Sequence, residues 1–413
     1  MDEQYYAFQG FFERAQEICE YYGLTPIETP MLEDEDIFLK AIGEGTDIVD
    51  KEMYTLKTKG GDHLTLRPEG TAGVMRAYIE HGMQSRPQPV MLYYNGPFFR
   101  HDKPQKGRYR QFTQFGVEII GSSKSILDAF AIHIGSLILK EAGIENVKIK
   151  INSLGDEESR GLYTKELVAH YRKHINKLSP TDRQRLKVNP LRILDSKDEK
   201  AIEINATAPQ TVAHLNATSK HHFKEVLEYL DQLGIDYEID HTLVRGLDYY
   251  SHTAFEFFGE AIIGEDGIAR SVALGGGGRY DGLAKTMGHK KDVPAVGWAM
   301  GVDRIIESTK KHIAPKVKKQ PKVYFIQLGN EAKLKSLAII EALRVAHVPV
   351  MHSLSKDKLG VQLANAEKIG VKYVMIFGQK EAIEGSVIVR DMSDRSQKTV
   401  DIDKLADYMK KLK

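Results

Sequence analysis

Cysteine occurs once in 413 residues, at Cys19, so no internal disulfide can form and no zinc framework can rest on cysteine. That fits a reducing compartment. Apolar runs stay short of the ~18 residues that a membrane-spanning helix needs. The opening MDEQYYAFQG carries acidic residues where a signal peptide has basic ones. Both features point to a cytoplasmic protein with no membrane partner. An excess of either charge is missing as well. The 58 Lys+Arg against 57 Asp+Glu leave a formal charge of +1, so a nucleic-acid partner has to be met by local patches. Familiar catalytic signatures are also absent: there is no G-x-S-x-G, H-E-x-x-H, G-x-x-x-x-G-K-S/T or G-x-G-x-x-G. His170 with His174, and the adjacent His221 and His222, read as surface histidines, and no metal ligand is assigned.

What is present describes an ordinary globular chain, 42% hydrophobic and 28% charged. At about 150 residues per domain it predicts two to three domains. From Gln4 to Tyr22 the residues Ala7, Phe8, Phe11, Phe12, Ala15, Ile18 and Cys19 fall on one helical stripe that stops at Gly23. Thr25 to Glu33 carries two prolines in an extended pattern, which suits an edge strand or a strand at a subunit boundary. Short strand-like runs follow between Met53 and Ile120, interrupted by one helical stretch, Thr71 to Gly82; this predicts an antiparallel sheet. A helical, polar insertion is expected over about 155–235. Strand patterns resume at Asp236–Phe258, and Ala295–Ser308 reads as a strand entering a helix. The catalytic domain is therefore placed at 1–308. The lysine-rich 309–322 reads as a linker, and 323–413 as a small α/β domain with a mainly parallel sheet.

Four clusters could carry chemistry. In Phe98–Glu118 the cations Arg100, Lys103, Lys106, Arg108 and Arg110 surround a turn-like PQKG. Such a hairpin suits a polyanion, with Phe112 as a stacking face, and equally suits a plain solvated hairpin. Glu118 stands in a probable sheet interior, where a carboxylate needs a partner. Leu243–Phe257 sets Arg245 and Asp248 around Gly246, beside Tyr249 and Tyr250; an ordinary core strand with a salt bridge is the alternative. The four consecutive glycines Gly275–Gly278, within Ala273–Leu283, mark either a close approach of ligand or backbone, or a flexible tight turn. Gly297–Arg304 alternates glycine with apolar residues, which flattens one strand face for a planar ring or for close helix packing.

Taken in order and spacing, GLTPIETPMLE, TLRPEGT, FFRHDKPQKGRYRQFTQFGVE, LVRGLDYY, GGGGRYDG and GWAMGVDR resemble the class II aminoacyl-tRNA synthetases and, within them, the histidyl-tRNA synthetase family. The resemblance spans nearly the whole chain. It implies an α+β fold: an antiparallel-sheet catalytic domain with a helical insertion, and a C-terminal α/β anticodon-binding domain. It implies ATP-dependent ligation of L-histidine to tRNA(His) through an adenylate, with Mg²⁺ accompanying ATP and a homodimer built around Pro30. Arg245 and Arg100 are implied to be catalytic. Glu69, Gly70, Thr71, Gln114, Glu118, Tyr249, Tyr250 and Tyr280 are implied to bind histidine. Arg100, Phe112, Arg245 and Arg304 would bind ATP, and Gln105, Lys106 and Arg108 the acceptor end of the tRNA. Two departures stand out. The chain opens on the helix rather than on a G-x-x-D-x-x-P segment, and Asp102 stands where glutamate is commoner. The rivals are a non-catalytic histidine sensor, the synthetase-like regulatory subunit of ATP phosphoribosyltransferase, and a class II enzyme for another amino acid. The C-terminal segment and Arg245 speak against the first, and LVRGLDYY with GGGGRYDG against the second.

Overall fold

The computed structural model describes residues 2–43, 46–103, 107–263, 269–309, 312–315, 321, 323–356 and 358–412. The chain divides into two compact units, Met1–Pro315 and Lys316–Lys413. Of the expected linker, residues 310–311, 316–320 and 322 lie outside the described residues.

The first unit is built on an eight-stranded sheet. Its order is Thr25–Pro26, Val90–Phe99, Gln111–Ile120, Ala295–Gly301, Ala269–Arg279, Ser251–Ile263, Lys148–Ser153 and Tyr237–Ile239. The six inner strands pair antiparallel, and the two outermost strands pair parallel. Pro26 sits on an edge strand, where its missing N–H costs no ladder bond. The helix Asp2–Tyr21 buries Ala7, Phe11, Ala15, Ile18 and Cys19 against one sheet face, and Gly23 ends it at φ +82°. Ile126–Glu141 and Ala217–Gln232 complete that layer, where Trp298 donates from Nε1 to the Ala131 carbonyl at 2.7 Å. On the opposite face lie the helices Glu35–Ile42 and Thr71–Glu80 and a three-stranded sheet of Leu32–Asp34, His63–Leu66 and Tyr54–Lys57.

The helical insertion is present: helices Glu157–Lys173, Pro180–Val188 and Glu199–Asn205 surround a small core of their own, and Ala217–Gln232 packs on the main sheet. One expectation needs correction. Leu243–Tyr250 is not a strand; it is a looped connection between Tyr237–Ile239 and Ser251–Ile263.

The second unit has a five-stranded sheet ordered Val350–His352, Val323–Gln327, Tyr373–Phe377, Ser386–Asp391 and Gln397–Asp401. Two pairings are parallel and two antiparallel, so the sheet is mixed rather than mainly parallel. Along Val323–Gln327, Val323 and Phe325 enter one core and Tyr324 and Ile326 the other, which gives helices on both faces.

Candidate active site

Alternation along adjacent strands builds the floor of the site. On Gln111–Ile120 the side chains of Phe115, Val117 and Ile119 enter the helix-covered core, which turns Gln114, Gly116 and Glu118 to the other face. On Ala295–Gly301, Val296, Trp298 and Met300 do the same and leave Gly297, Ala299 and Gly301 opposite. Register sets Gln114 beside Gly301, Gly116 beside Ala299 and Glu118 beside Gly297.

The four glycines lie inside the strand Ala269–Arg279, none with positive φ, so they form no tight turn. Space on both faces explains them. A Cβ on Gly275 would sit 2.5 Å from Met300 Cγ, and one on Gly277 2.6 Å from Trp298 Cβ. On the site face, a Cβ on Gly276 would come 2.6 Å from Arg245 Nη1, and one on Gly278 2.9 Å from Tyr250 Cδ1. The run thus permits close approach both of the neighbouring strands' backbone, since a Cβ on Gly277 would collide with the Gly297 carbonyl and one on Gly278 with the Thr253 carbonyl, and of side chains, two of them from the Arg245 loop.

Glu118 is fully buried, and the hydroxyls of Tyr280, Thr71 (2.7 Å) and Tyr94 (3.4 Å) donate to it. Burial pushes its carboxyl up to about 8, against the pull of those hydrogen bonds. Burial, followed by the nearby carboxylates, holds the Tyr94 and Tyr249 hydroxyls well above the usual phenol range, so both stay donors. Glu69 caps the helix Thr71–Glu80: its two carboxylate oxygens accept from the N–H groups of Thr71 at 2.7 Å and Ala72 at 2.8 Å, and Tyr249 donates to it at 3.4 Å. Gly70 stands at the head of that helix, and a Cβ there would collide with the Tyr94 ring.

Guanidinium groups from three segments converge above this floor. Arg100 donates to the Pro68 carbonyl at 2.9 Å and lies 5.4 Å over the Phe112 ring. Arg245 is ion-paired with Glu256 and lies over Tyr250. Arg304, on the helix Val302–Ser308, is fixed by the carbonyls of Gly107 at 2.8 Å and Ala273 at 3.0 Å. Burial lowers the pKa values of both Arg100 and Arg304; for Arg304 the repulsion of Arg108 and Arg100 adds to it, while for Arg100 Glu52 and Glu69 oppose it and Arg245 adds a smaller repulsion. An anion entering between them would relieve that repulsion.

The cavity is about 480 Å³. Glu69, Thr71, Arg100, Arg108, Phe112, Gln114, Tyr249, Tyr250, Arg245 and Arg304 all line it. Glu118 and Tyr280 are buried beside this wall, not among the lining side chains. Gln105 and Lys106 lie outside the described residues, while Arg108 is half-exposed and paired with Asp102 at 3.0 Å. Gln114 Oε1 and Arg245 Nε are buried with no hydrogen-bond partner among the described residues, which leaves one acceptor and one donor for a ligand. Among the described residues no group of three or more His, Cys, Asp or Glu is placed to hold a metal ion.

Three contributors escaped the reading of the sequence. Tyr94 fills the space that Gly70 and Gly116 leave. Glu256, between Phe255 and Phe257, faces Arg245 while its neighbours face the core, and the period-2 pattern of AFEF carried that signal. Asp303 accepts from the Thr113 N–H at 2.6 Å and ties the helix of Arg304 to the strand of Phe112; no local pattern announces this.

Comparison with known proteins agrees with this architecture. Residues 2–305 match the family model described as histidyl-tRNA synthetase, and residues 322–412 the one described as an anticodon binding domain. The chain is similar to the histidine–tRNA ligase of Geobacillus thermodenitrificans, 40% identical over 397 residues that cover 96% of this chain and 92% of that one. It is 39% identical over 412 residues to the histidine–tRNA ligase of Anoxybacillus flavithermus, covering 99% and 96%. The crystal structure of apo S. aureus histidyl-tRNA synthetase aligns with a TM-score of 0.81 at 32% identity, covering 100% of this chain and 97% of that one.

Proposed function

The chain belongs to the histidyl-tRNA synthetase family, and from that membership we propose how its cavity performs the reaction. The enzyme uses ATP to join L-histidine to its tRNA through histidyl-adenylate. The substrate carboxylate attacks the α-phosphorus, the bond to the β-phosphate oxygen breaks and pyrophosphate leaves. A terminal hydroxyl of the tRNA then attacks the adenylate carbonyl and AMP leaves. The first step needs positioning and neutralisation of charge rather than a strong base.

In our assignment Glu69, Thr71 and Gln114 hold the α-amino group, with the unpartnered Gln114 Oε1 as one acceptor. Glu118 and Tyr250 take the two imidazole nitrogens, and Tyr249 and Tyr280 complete the pocket. Such a pocket rejects isosteres by leaving buried groups unpaired. Arg100 and Arg245 stabilise the charge developing at the α-phosphate, Phe112 stacks on adenine, and Arg304 binds the outer phosphates. The observation that carries this assignment is the convergence of Arg100, Arg245 and Arg304 on one cavity that holds a buried, unpartnered Gln114 Oε1. Mg²⁺ would accompany ATP and offset the negative charge of its phosphates. The described residues offer it no cage, and none of these assignments depends on it.

Residues 323–413 read the anticodon, Arg108 meets the acceptor end, and a homodimer forms around Pro30. Exposed Met31, Leu32 and Leu56 beside the three-stranded sheet support that dimer surface. We place the enzyme's work in the cytoplasm, in keeping with a single cysteine in a reducing compartment. ATP–pyrophosphate exchange with each of the twenty amino acids tests the reading. Exchange with histidine alone is expected; exchange with another amino acid, or none while histidine binds, overturns it.

A further inference from the structure

The loop that carries Arg245, Tyr249 and Tyr250 is held in an unusual way. Its start is tied to the sheet, where Asn152 Nδ2 donates to the Leu243 carbonyl at 3.1 Å. Beyond that point the Asp248 N–H donates to the Ile42 carbonyl at 3.4 Å, and the loop's carbonyls and the Asp248 carboxylate are held from the helical insertion. Arg192 Nη2 donates to the Gly246 carbonyl at 2.6 Å, and Asn189 Nδ2 donates to Asp248 Oδ1 at 2.7 Å, with Arg192 Nε 3.6 Å from the same oxygen. Arg160, on the helix Glu157–Lys173, donates to the carbonyls of Asp248 at 3.2 Å and Tyr250 at 3.4 Å. On the far side Gly43, at φ +90°, gives the carboxylate room: a Cβ there would lie 3.1 Å from Asp248 Oδ2.

Arg185 and Arg192 also line the cavity and could be read as recruiting a phosphate. Both are already engaged by carboxylates, Arg185 with Asp182 at 3.2 Å and Asp47 at 3.8 Å, and Arg192 with Asp248. These pairs tie Arg185 to Asp47 and Arg192 to the Arg245 loop, so both cations hold the insertion to the rest of the site.

We propose that Asn189, Arg192 and Asp248 form a latch through which the helical insertion positions the Arg245 loop, making these three positioning residues for histidine activation. The inference rests on the role assigned above to Arg245. The latch acts selectively because the other half of the site is built elsewhere. Arg100 and Phe112 sit on the hairpin of Val90–Phe99 with Gln111–Ile120, and Arg304 on the helix Val302–Ser308. Loosening the insertion therefore displaces Arg245, Tyr249 and Tyr250 together and leaves the ATP contacts of Arg100, Phe112 and Arg304 in place.

The test uses the full chain with Asn189→Ala/Arg192→Ala, Arg192→Lys and Asp248→Asn, and with Arg245→Ala in parallel. Exchange kinetics are combined with amide hydrogen exchange over residues 243–250. The double variant is expected to lose about tenfold in kcat and to raise the histidine KM, with the ATP KM within about twofold of the parent. Its amides at 246–250 should exchange faster, and Arg192→Lys should recover part of both effects. Asp248→Asn, which keeps an acceptor for Asn189 but loses the charge paired with Arg192, should fall between the double variant and the parent.

Parent-like kinetics and exchange in the double variant would overturn the latch. So would a fall in kcat with every KM unchanged and a lowered melting temperature, since that is general destabilisation. If Arg245→Ala retains full turnover, the assignment of Arg245 fails instead, while the hydrogen-exchange readout still decides whether the insertion holds the loop.

Discussion

Gly276 and Arg245 meet across the floor of the site: a Cβ on the glycine would lie 2.6 Å from Arg245 Nη1 and 2.7 Å from the Phe255 carbonyl. The carbonyl belongs to the neighbouring strand and cannot yield, so an added methyl must displace the guanidinium or the sheet. Gly276→Ala is expected to cost about 1–3 kcal/mol of stability and to slow adenylate formation more than tenfold. Thermal melts and pyrophosphate exchange check both. Parent-like turnover would mean that Arg245 does not work from this position.

Arg245→Ala should reduce adenylate formation by about 10²–10³-fold, the loss seen when one preorganised charge-stabilising group is removed. Histidine binding, which relies in our assignment on Glu69, Gln114 and Glu118, should persist. Calorimetric titration with histidine beside exchange kinetics separates the two. Loss of binding with residual turnover intact would reverse the roles.

Much of the fold was legible because it rests on periodicity. The stripe of Ala7, Phe11, Ala15 and Ile18 and the alternation around Glu118 are local patterns, and both reappear in the packing. The site was less legible wherever the chain is held by distant partners. Leu243–Tyr250 is apolar enough to look like a strand, yet its carbonyls are satisfied by Arg160 and Arg192, side chains more than 50 residues away in sequence. The glycine run showed the same limit. Its spacing signalled a close approach, and only the sheet revealed that the approaching groups are neighbouring strand carbonyls together with Arg245, Tyr250, Trp298 and Met300. In the C-terminal unit the strand Gln397–Asp401 is mostly exposed and polar and carries no strand pattern, which is why the sheet reads as more parallel than it is.

The unit Lys316–Lys413 has its own core of Val323, Phe325, Met375, Phe377 and Val387. A chain ending at Pro315 is therefore expected to retain pyrophosphate exchange within a few-fold, because every residue lining the cavity lies in the first unit. Aminoacylation of tRNA should fall by orders of magnitude through KM for the tRNA. Undiminished charging would remove the anticodon-reading role from this unit.

Glu118 gives a prediction in pH. Its carboxyl is raised from 4.5 to about 8, chiefly by burial, so the native protein keeps this proton across a range where the unfolded chain has already lost it. The contribution to stability is fully present below about pH 4.5, declines as pH rises and is lost as pH passes 8. Across that window the linkage is on the order of 5 kcal/mol. Glu118→Gln carries no titrating proton and should lack the decline. Thermal melts of both proteins from pH 5.5 to 9 should therefore show the parent losing ground steadily to the variant, with the variant the more stable near pH 9. Parallel curves would show that the hydroxyls of Tyr280, Thr71 and Tyr94 outweigh burial and keep the carboxylate ionised. In that case the pocket would present a fixed negative charge to the imidazole at neutral pH rather than a proton donor.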